Sequence, residues 1–106
     1  MPTTIPIACS LEHADLAERG RQMAQLGQTL TSVQAWGLSA RLRFPHEQRA
    51  EVEAFVAAES SCCPFFAFDQ SERGDEIELA VSAPRDGEWA VRGLVAGFVA
   101  GWERLT

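Results

Sequence analysis

The chain has 106 residues, of which 46% are hydrophobic and 23% are charged, and its formal net charge is −6. This composition is typical of one globular domain, so we expect residues 1–106 to fold together without disulfides or a structural metal. The acidic balance argues against nucleic acids and anionic membranes as partners, since both need a basic patch. The N-terminus lacks the features of a signal peptide and no apolar run could span a bilayer, which predicts a cytoplasmic protein.

The first third of the chain predicts one helix. Ile5–Cys9 is typical of a short strand or an extended lead-in. Ser10 is a good N-cap residue and Gly27 a good C-terminal stop, so the helix is expected from about Leu11 to Gly27. The apolar residues that recur near its period are Leu16, Met23, Leu26 and Leu30.

Two strands and a second helix are expected next. Residues 33–36 and 38–44 flank Gly37, which suggests a tight turn or a bulge between two strands. Apolar and polar residues alternate along the second strand until Pro45 ends it. A helical spacing then runs from His46 to about Cys62 and includes Glu59 on its apolar side.

The second half of the chain repeats this pattern weakly. Phe65–Asp69 predicts a strand, residues 71–75 a turn, Ile77–Ala83 another strand, and the residues after Pro84 a last helix. Each unit is therefore a hairpin, a proline and a helix. The prediction is an α+β fold of order α-ββ-α-ββ-α, or β-α-ββ-α-ββ-α if Ile5–Cys9 is a strand. Its natural form is a two-layer sandwich with helices on one face of a mainly antiparallel sheet.

The three cysteines are the main candidates for chemistry. Cys62 and Cys63 are adjacent at a helix-to-strand junction, and Cys9 precedes the first helix. Thiolates are soft ligands that select ions such as Hg(II), As(III), Cu(I) or Zn(II), and three of them suit a trigonal site. His13 lies one helical turn after Cys9 and would add a nitrogen ligand. Glu59 lies three residues before Cys62 and would complete or orient the site.

Other interpretations remain open. In a thiol enzyme with redox or nucleophilic chemistry, Cys9 or Cys63 would react and Glu59 would assist. The helix dipole favours a thiolate at Cys9 over one at Cys62. In a non-catalytic interaction domain, all three cysteines would only pack as small apolar residues. Glu59 would then pair with an arginine or lie at the edge of the core.

The remaining aromatic and histidine residues are assigned structural positions. His46 is expected at the surface. One of Phe65 and Phe66 would be exposed if the segment is extended, and could mark a partner surface. The simplest interpretation nevertheless assigns all of these aromatic residues to the core, namely Trp36, Trp89, Trp102, Phe65, Phe66 and Phe68.

Three segments carry a resemblance to a known family. They are Ile7-Ala8-Cys9-Ser10-Leu11, Leu42-Arg43-Phe44-Pro45 and the run Glu59-Ser-Ser-Cys62-Cys63-Pro64-Phe65. Over nearly its whole length the chain resembles small, largely uncharacterised bacterial proteins with a Cys-Cys-Pro-Phe motif. Some members are associated with MerR-type regulators and heavy-metal resistance.

The resemblance implies thiol or metal chemistry at Cys9, Glu59, Cys62 and Cys63. It also suggests a MerR-type regulator as a protein partner. The expected function is therefore soft-metal binding in the cytoplasm, for resistance or sensing. The expected ligand is the metal ion or a small thiol-reactive molecule. The oligomeric state is left open, a dimer joined through aromatic surfaces included.

Overall fold

A computed structural model describes the backbone of residues 13–62 and 65–103, and the side chains of residues 18–61 and 65–100. Three helices and four strands follow one another in the predicted order α-ββ-α-ββ-α. They are α1 (His13–Gly27), β1 (Ser32–Trp36), β2 (Ser39–Pro45), α2 (Arg49–Cys62), β3 (Ala67–Arg73), β4 (Glu76–Ser82) and α3 (Glu88–Glu103). The α+β prediction is confirmed. The possible strand Ile5–Cys9 lies outside the described residues.

Two tight hairpins build the sheet. β1 and β2 are joined at Gly37, with φ 55°, and β3 and β4 at Gly74, with φ 67°. Each loop has two residues and begins with glycine, the residue that tolerates positive φ at the first loop position. Of the two alternatives at Gly37, a tight turn or a bulge, the structure has the tight turn. β3 begins two residues later than predicted and continues to Arg73, because its polar end pairs with β4 up to the turn.

The two hairpins meet through their second strands. The strand order is β1-β2-β4-β3 and every neighbouring pair is antiparallel. At the centre Leu42 lies beside Leu79, and Phe44 beside Ile77. Each hairpin is followed by a proline and a helix, so the weak sequence repeat corresponds to two similar units that join at the middle of the sheet.

The core lies between the helices and one face of the sheet. Side chains alternate along a strand, and β2 and β4 each direct three apolar residues to this face. The Phe98 ring of α3 contacts Phe44 of β2 and Phe55 of α2 edge-on, with centroids 5.8 and 5.0 Å apart. The principal core residues are Leu26, Leu30, Leu42, Phe44, Val52, Phe55, Ile77, Leu79, Val81, Leu94 and Phe98.

A glycine fixes the position of α1 on α3. A Cβ atom built on Gly27 would overlap the backbone carbonyl of Phe98, so the two helices come closer here than any larger residue permits. Gly97 of α3 similarly leaves space for the Met23 side chain of α1. α1 is therefore held against α3 along its second half, and this contact also sets where its first half lies beside α2.

Candidate functional site

The two helices next to the cysteines in sequence, α1 after Cys9 and α2 ending at Cys62, run antiparallel. Arg19 of α1 contacts Glu59 of α2. Farther along α1, Gln25 lines a groove between the two helices together with Gln48, which lies beside the start of α2. The start of α1 and the end of α2 therefore lie at the same end of the helix layer. We call this the thiol end, defined by His13 as the first residue of α1 and Cys62 as the last residue of α2.

A buried ion pair joins α1 and α2 near the thiol end. Arg19 Nη1 donates a hydrogen bond of 2.9 Å to Glu59 Oε2, and the two side chains are only 15% and 10% exposed. Charged side chains so far from water are costly unless they are paired. The pair consequently ties Glu59 to one position along α1. The alternative in which Glu59 pairs with an arginine matches this geometry.

Arg19 is a site residue that the sequence interpretation missed. Its spacing carried a signal, because Arg19, Met23 and Leu26 follow one another at steps of four and three residues. An arginine on the buried stripe of an amphipathic helix needs a carboxylate partner. Glu59 lies on the corresponding stripe of α2 and would have been the natural choice.

The predicted metal ligands are described to different extents. The backbones of His13 and Cys62 are helical and both lie at the thiol end. Glu59 is buried and lies three residues before Cys62 in the same helix. Cys9 and Cys63 lie outside the described residues. Within the part of the chain that the structure describes, no group of three or more His, Cys, Asp or Glu side chains could hold a metal ion.

An aromatic cluster anchors the chain just after the cysteine pair. The rings of Phe65 and Phe66 are 4.5 Å apart, Phe66 and Phe68 are 5.8 Å apart, and Phe68 meets Phe55 of α2 at 6.0 Å. Phe65 is buried and Phe66 half-buried, so neither of them is the exposed ring that an extended segment predicts. Since α2 ends at Cys62 and this cluster follows, both flanks of the Cys62-Cys63-Pro64 segment are packed against the core.

The expectation that the tryptophans are core residues is wrong for two of them. Trp36 is 51% exposed and Trp89 is 61% exposed. Trp36 lies on the face of β1 opposite the core, and Trp89 lies on the outer side of α3. The Trp102 side chain is outside the described residues. His46 is exposed as predicted and contacts Glu72 at 3.1 Å, at the opposite end of α2 from the cysteines.

A polar groove separates α1 from α2 beside the ion pair. Its volume is about 710 Å³, and Leu26, Phe55, three glutamines and two glutamates are among its lining residues. Among the described side chains, every buried nitrogen and oxygen atom has a hydrogen-bond partner. The groove therefore presents exposed amide and carboxylate groups, and the described polar atoms that are buried already have hydrogen-bond partners within the protein.

None of the three helices in the described ranges is long and apolar enough to cross a membrane. A scan against protein-family models, a search of curated proteins and a search of solved structures each found no match for this chain.

Proposed function

We propose that this protein binds a soft metal or metalloid ion through the thiolates of Cys9, Cys62 and Cys63. The observation that carries the proposal is the buried Arg19–Glu59 pair, which fastens the first half of α1 to the last turns of α2. Cys62 follows Glu59 by three residues, so the helix end that bears the cysteine pair is held beside the start of α1.

The chain length between the cysteines and the ion pair favours a shared site. Cys9 precedes His13 by four residues, and four extended residues span at most about 14 Å. A segment that short limits how far Cys9 can lie from the start of α1, which is the helix end beside the end of α2. Cys62 ends α2, whereas Pro64 disfavours helical backbone at Cys63, and this change of geometry between the two residues would let their sulfur atoms converge instead of diverging.

The ligand set selects the class of metal. Thiolates prefer Hg(II), As(III), Cu(I) and Zn(II) over hard ions such as Mg(II), and three thiolates suit a trigonal centre. His13 would supply a nitrogen ligand, while Glu59, already paired with Arg19, would act by orienting the site. A reducing cytoplasm keeps such thiols free, and the proposed role there is metal resistance or delivery to a MerR-type regulator.

The test is a metal titration of the fully reduced protein with a competing small thiol present. Ultraviolet absorption from thiolate-to-metal charge transfer is followed for Hg(II), As(III), Cu(I) and Zn(II). We expect saturation at one equivalent for at least one ion, and its loss in the Cys9→Ser/Cys62→Ser/Cys63→Ser variant, which has no other thiol. Saturation that survives in this variant, or weak binding without a fixed stoichiometry, overturns the proposal.

The two histidines supply a matched control. His13 lies at the thiol end, whereas His46 is exposed near the start of α2 and contacts Glu72. His13→Ala is expected to weaken metal binding and His46→Ala to leave it unchanged. If weak binding is accompanied by one rapidly alkylated cysteine, a thiol enzyme replaces the metal-binding proposal. If no cysteine reacts quickly, the cysteines only pack.

A further inference from the structure

The face of the sheet that points away from the core is a second surface with its own organisation. We call it the open face; it consists of the residues that alternate with the core residues along the four strands. Its side chains are exposed or half-buried except for Glu78, which is 4% exposed. Trp36 lies at one edge of this face, on β1, and the guanidinium carbon of Arg41 is 5.6 Å from the centroid of its ring.

The open face is electrically neutral although the chain is acidic. It carries three of the nine basic residues and three of the fifteen acidic ones. The six are Arg41, Arg43, Arg73, Asp69, Glu76 and Glu78. The net charge of −6 is therefore carried by the rest of the molecule. Two copies could approach through this face without the repulsion that their other surfaces impose.

The strand pairing arranges the open face in rows across the sheet, each read in the order β1, β2, β4, β3. The first row is Trp36, Ser39, Ser82, Ala67. The second row is Gln34, Arg41, Ala80, Asp69. The third row is Ser32, Arg43, Glu78, Ser71. In the first two rows, the largest side chains lie on β1 and β2, and smaller side chains lie on β4 and β3.

A two-fold axis parallel to the strands, between β2 and β4, makes these rows self-complementary. This operation lays β1 over β3 and β2 over β4 of a second copy and keeps each row in place. Trp36 then faces Ala67 of the second copy, and Arg41 faces Ala80. A shallow depression of about 200 Å³ already exists where these small residues lie.

Charges match under the same operation. Arg43 faces Glu78 of the second copy, and the reverse contact forms across the axis. Within one chain Arg43 Nη2 already lies 3.1 Å from Glu78 Oε2, and Arg73 Nη2 lies 3.7 Å from Glu78 Oε1, so the two Glu78 carboxylates would lie among arginines of both copies. A two-fold axis perpendicular to the strands instead lays the second row over the third and brings Arg41 against Arg43. Like charges in contact disfavour that arrangement.

We propose that the protein self-associates by packing open face against open face, with the strands of the two copies aligned. Aligned packing is one of the two usual arrangements of facing sheets. Four strands of about six residues cover roughly 19 by 20 Å, or about 400 Å² per copy. Standard interfaces bury about 800 Å² per partner, so the dimer is weak, reversible and formed at high micromolar concentration. The proposal is independent of metal binding.

Sedimentation equilibrium in excess reductant tests this proposal from about 10 µM to 1 mM, a range chosen around the weak affinity that the small area predicts. Gln34 faces Asp69 of the second copy, so Gln34→Arg is expected to tighten the dimer and Gln34→Asp to loosen it. Each contact occurs twice in the dimer, so each substitution should change the dissociation constant about tenfold, downward for Gln34→Arg and upward for Gln34→Asp. Within one chain Gln34 lies beside Arg41, so the same two variants should change monomer stability with the opposite sign.

The two exposed tryptophans provide the control. Trp36→Ala removes a residue of the open face, and Trp89→Ala removes one of equal size on α3. We expect the first variant to abolish dimerisation below 1 mM and the second to leave it unchanged, with both folded as judged by thermal unfolding. A monomer at every concentration, or a dimer that responds to Trp89→Ala and not to Trp36→Ala, overturns the proposal.

Discussion

The two ends of α2 both carry charged contacts, but the contacts differ in burial. At the start of α2, Glu72 of β3 contacts His46 at 3.1 Å and Arg49 at 3.3 Å, and all three side chains are about half exposed. At the thiol end, the Arg19–Glu59 pair is almost completely buried. Water screens the first set, whereas the second is largely removed from water and therefore depends more on its own hydrogen bond.

This difference indicates which end of α2 is built to hold a fixed geometry. An exposed network contributes little energy and allows its side chains to move. A largely buried pair between two helices is costly to rearrange, because a displaced Arg19 guanidinium would lose its hydrogen bond to Glu59 without regaining water. The cysteine pair follows the end of α2 that is held in this way, while His46 lies near the other end.

Of the substitutions that test this difference between the two ends of α2, removal of Arg19 should lower the free energy of unfolding most. Arg19→Ala removes the guanidinium that donates to the Glu59 carboxylate, and a charge-assisted hydrogen bond in a largely buried place is worth more than an exposed one, so the free energy of unfolding should fall by about 2–4 kcal/mol. Urea denaturation measures the change. Arg21→Ala is the matched control, because Arg21 pairs with Glu18 and is 65% exposed, and its cost should stay below about 1 kcal/mol.

A double variant separates charge from packing in this pair. Arg19→Met/Glu59→Met removes both charges and keeps similar volume, and with the two single variants it completes a double-mutant cycle whose coupling free energy should be about 1–3 kcal/mol. Equal losses for Arg19→Ala and Arg21→Ala would show that the buried pair does not hold the thiol end together.

Replacement of Gly27 should have an intermediate effect. The added Cβ overlaps the carbonyl of Phe98, so Gly27→Ala forces α1 away from α3 and should cost about 1–3 kcal/mol. Gly20 lies in the same helix with no atom near its added Cβ. Gly20→Ala should therefore stabilise the protein by up to about 1 kcal/mol, because alanine is the better helix former. Thermal unfolding of the pair should give shifts of opposite sign, and shifts of the same sign would contradict the proposed close contact.

The exposed network should give the smallest effect. Glu72→Gln removes the carboxylate shared by His46 and Arg49, and we expect a loss below about 1 kcal/mol that disappears in high salt. Urea denaturation at low and high salt measures it. A loss comparable to that of Arg19→Ala would remove the distinction between the two ends of α2.

The sequence was sufficient for the order of elements because local signals agree with the global fold. The alternation in residues 38–44 corresponds to β2, and Gly37, Pro45 and Pro84 lie where a turn begins or a strand ends. The strand after the cysteine pair was placed too early, since the aromatic residues from Phe65 gave the strand signal although pairing with β4 begins at Ala67 and continues through polar residues to Arg73.

The contacts between distant segments could not be predicted from such local signals. That β2 pairs with β4, and that Arg19 reaches Glu59 forty positions away, follows from packing of distant segments. Trp36 and Trp89 were expected in the core because large aromatic residues usually contribute to it. Their exposure depends on which face of the strand or helix is covered, and a single sequence does not specify that.

The central claim is that the three cysteines form one soft-metal site, and the most direct measurement is the number of sulfur atoms bound to Hg(II). X-ray absorption on protein loaded with one equivalent gives this number for the parent and for Cys9→Ser. We predict three sulfur ligands in the parent and two in the variant, because the proposed site takes one thiolate from each of Cys9, Cys62 and Cys63. Two sulfur ligands in both proteins would contradict the account.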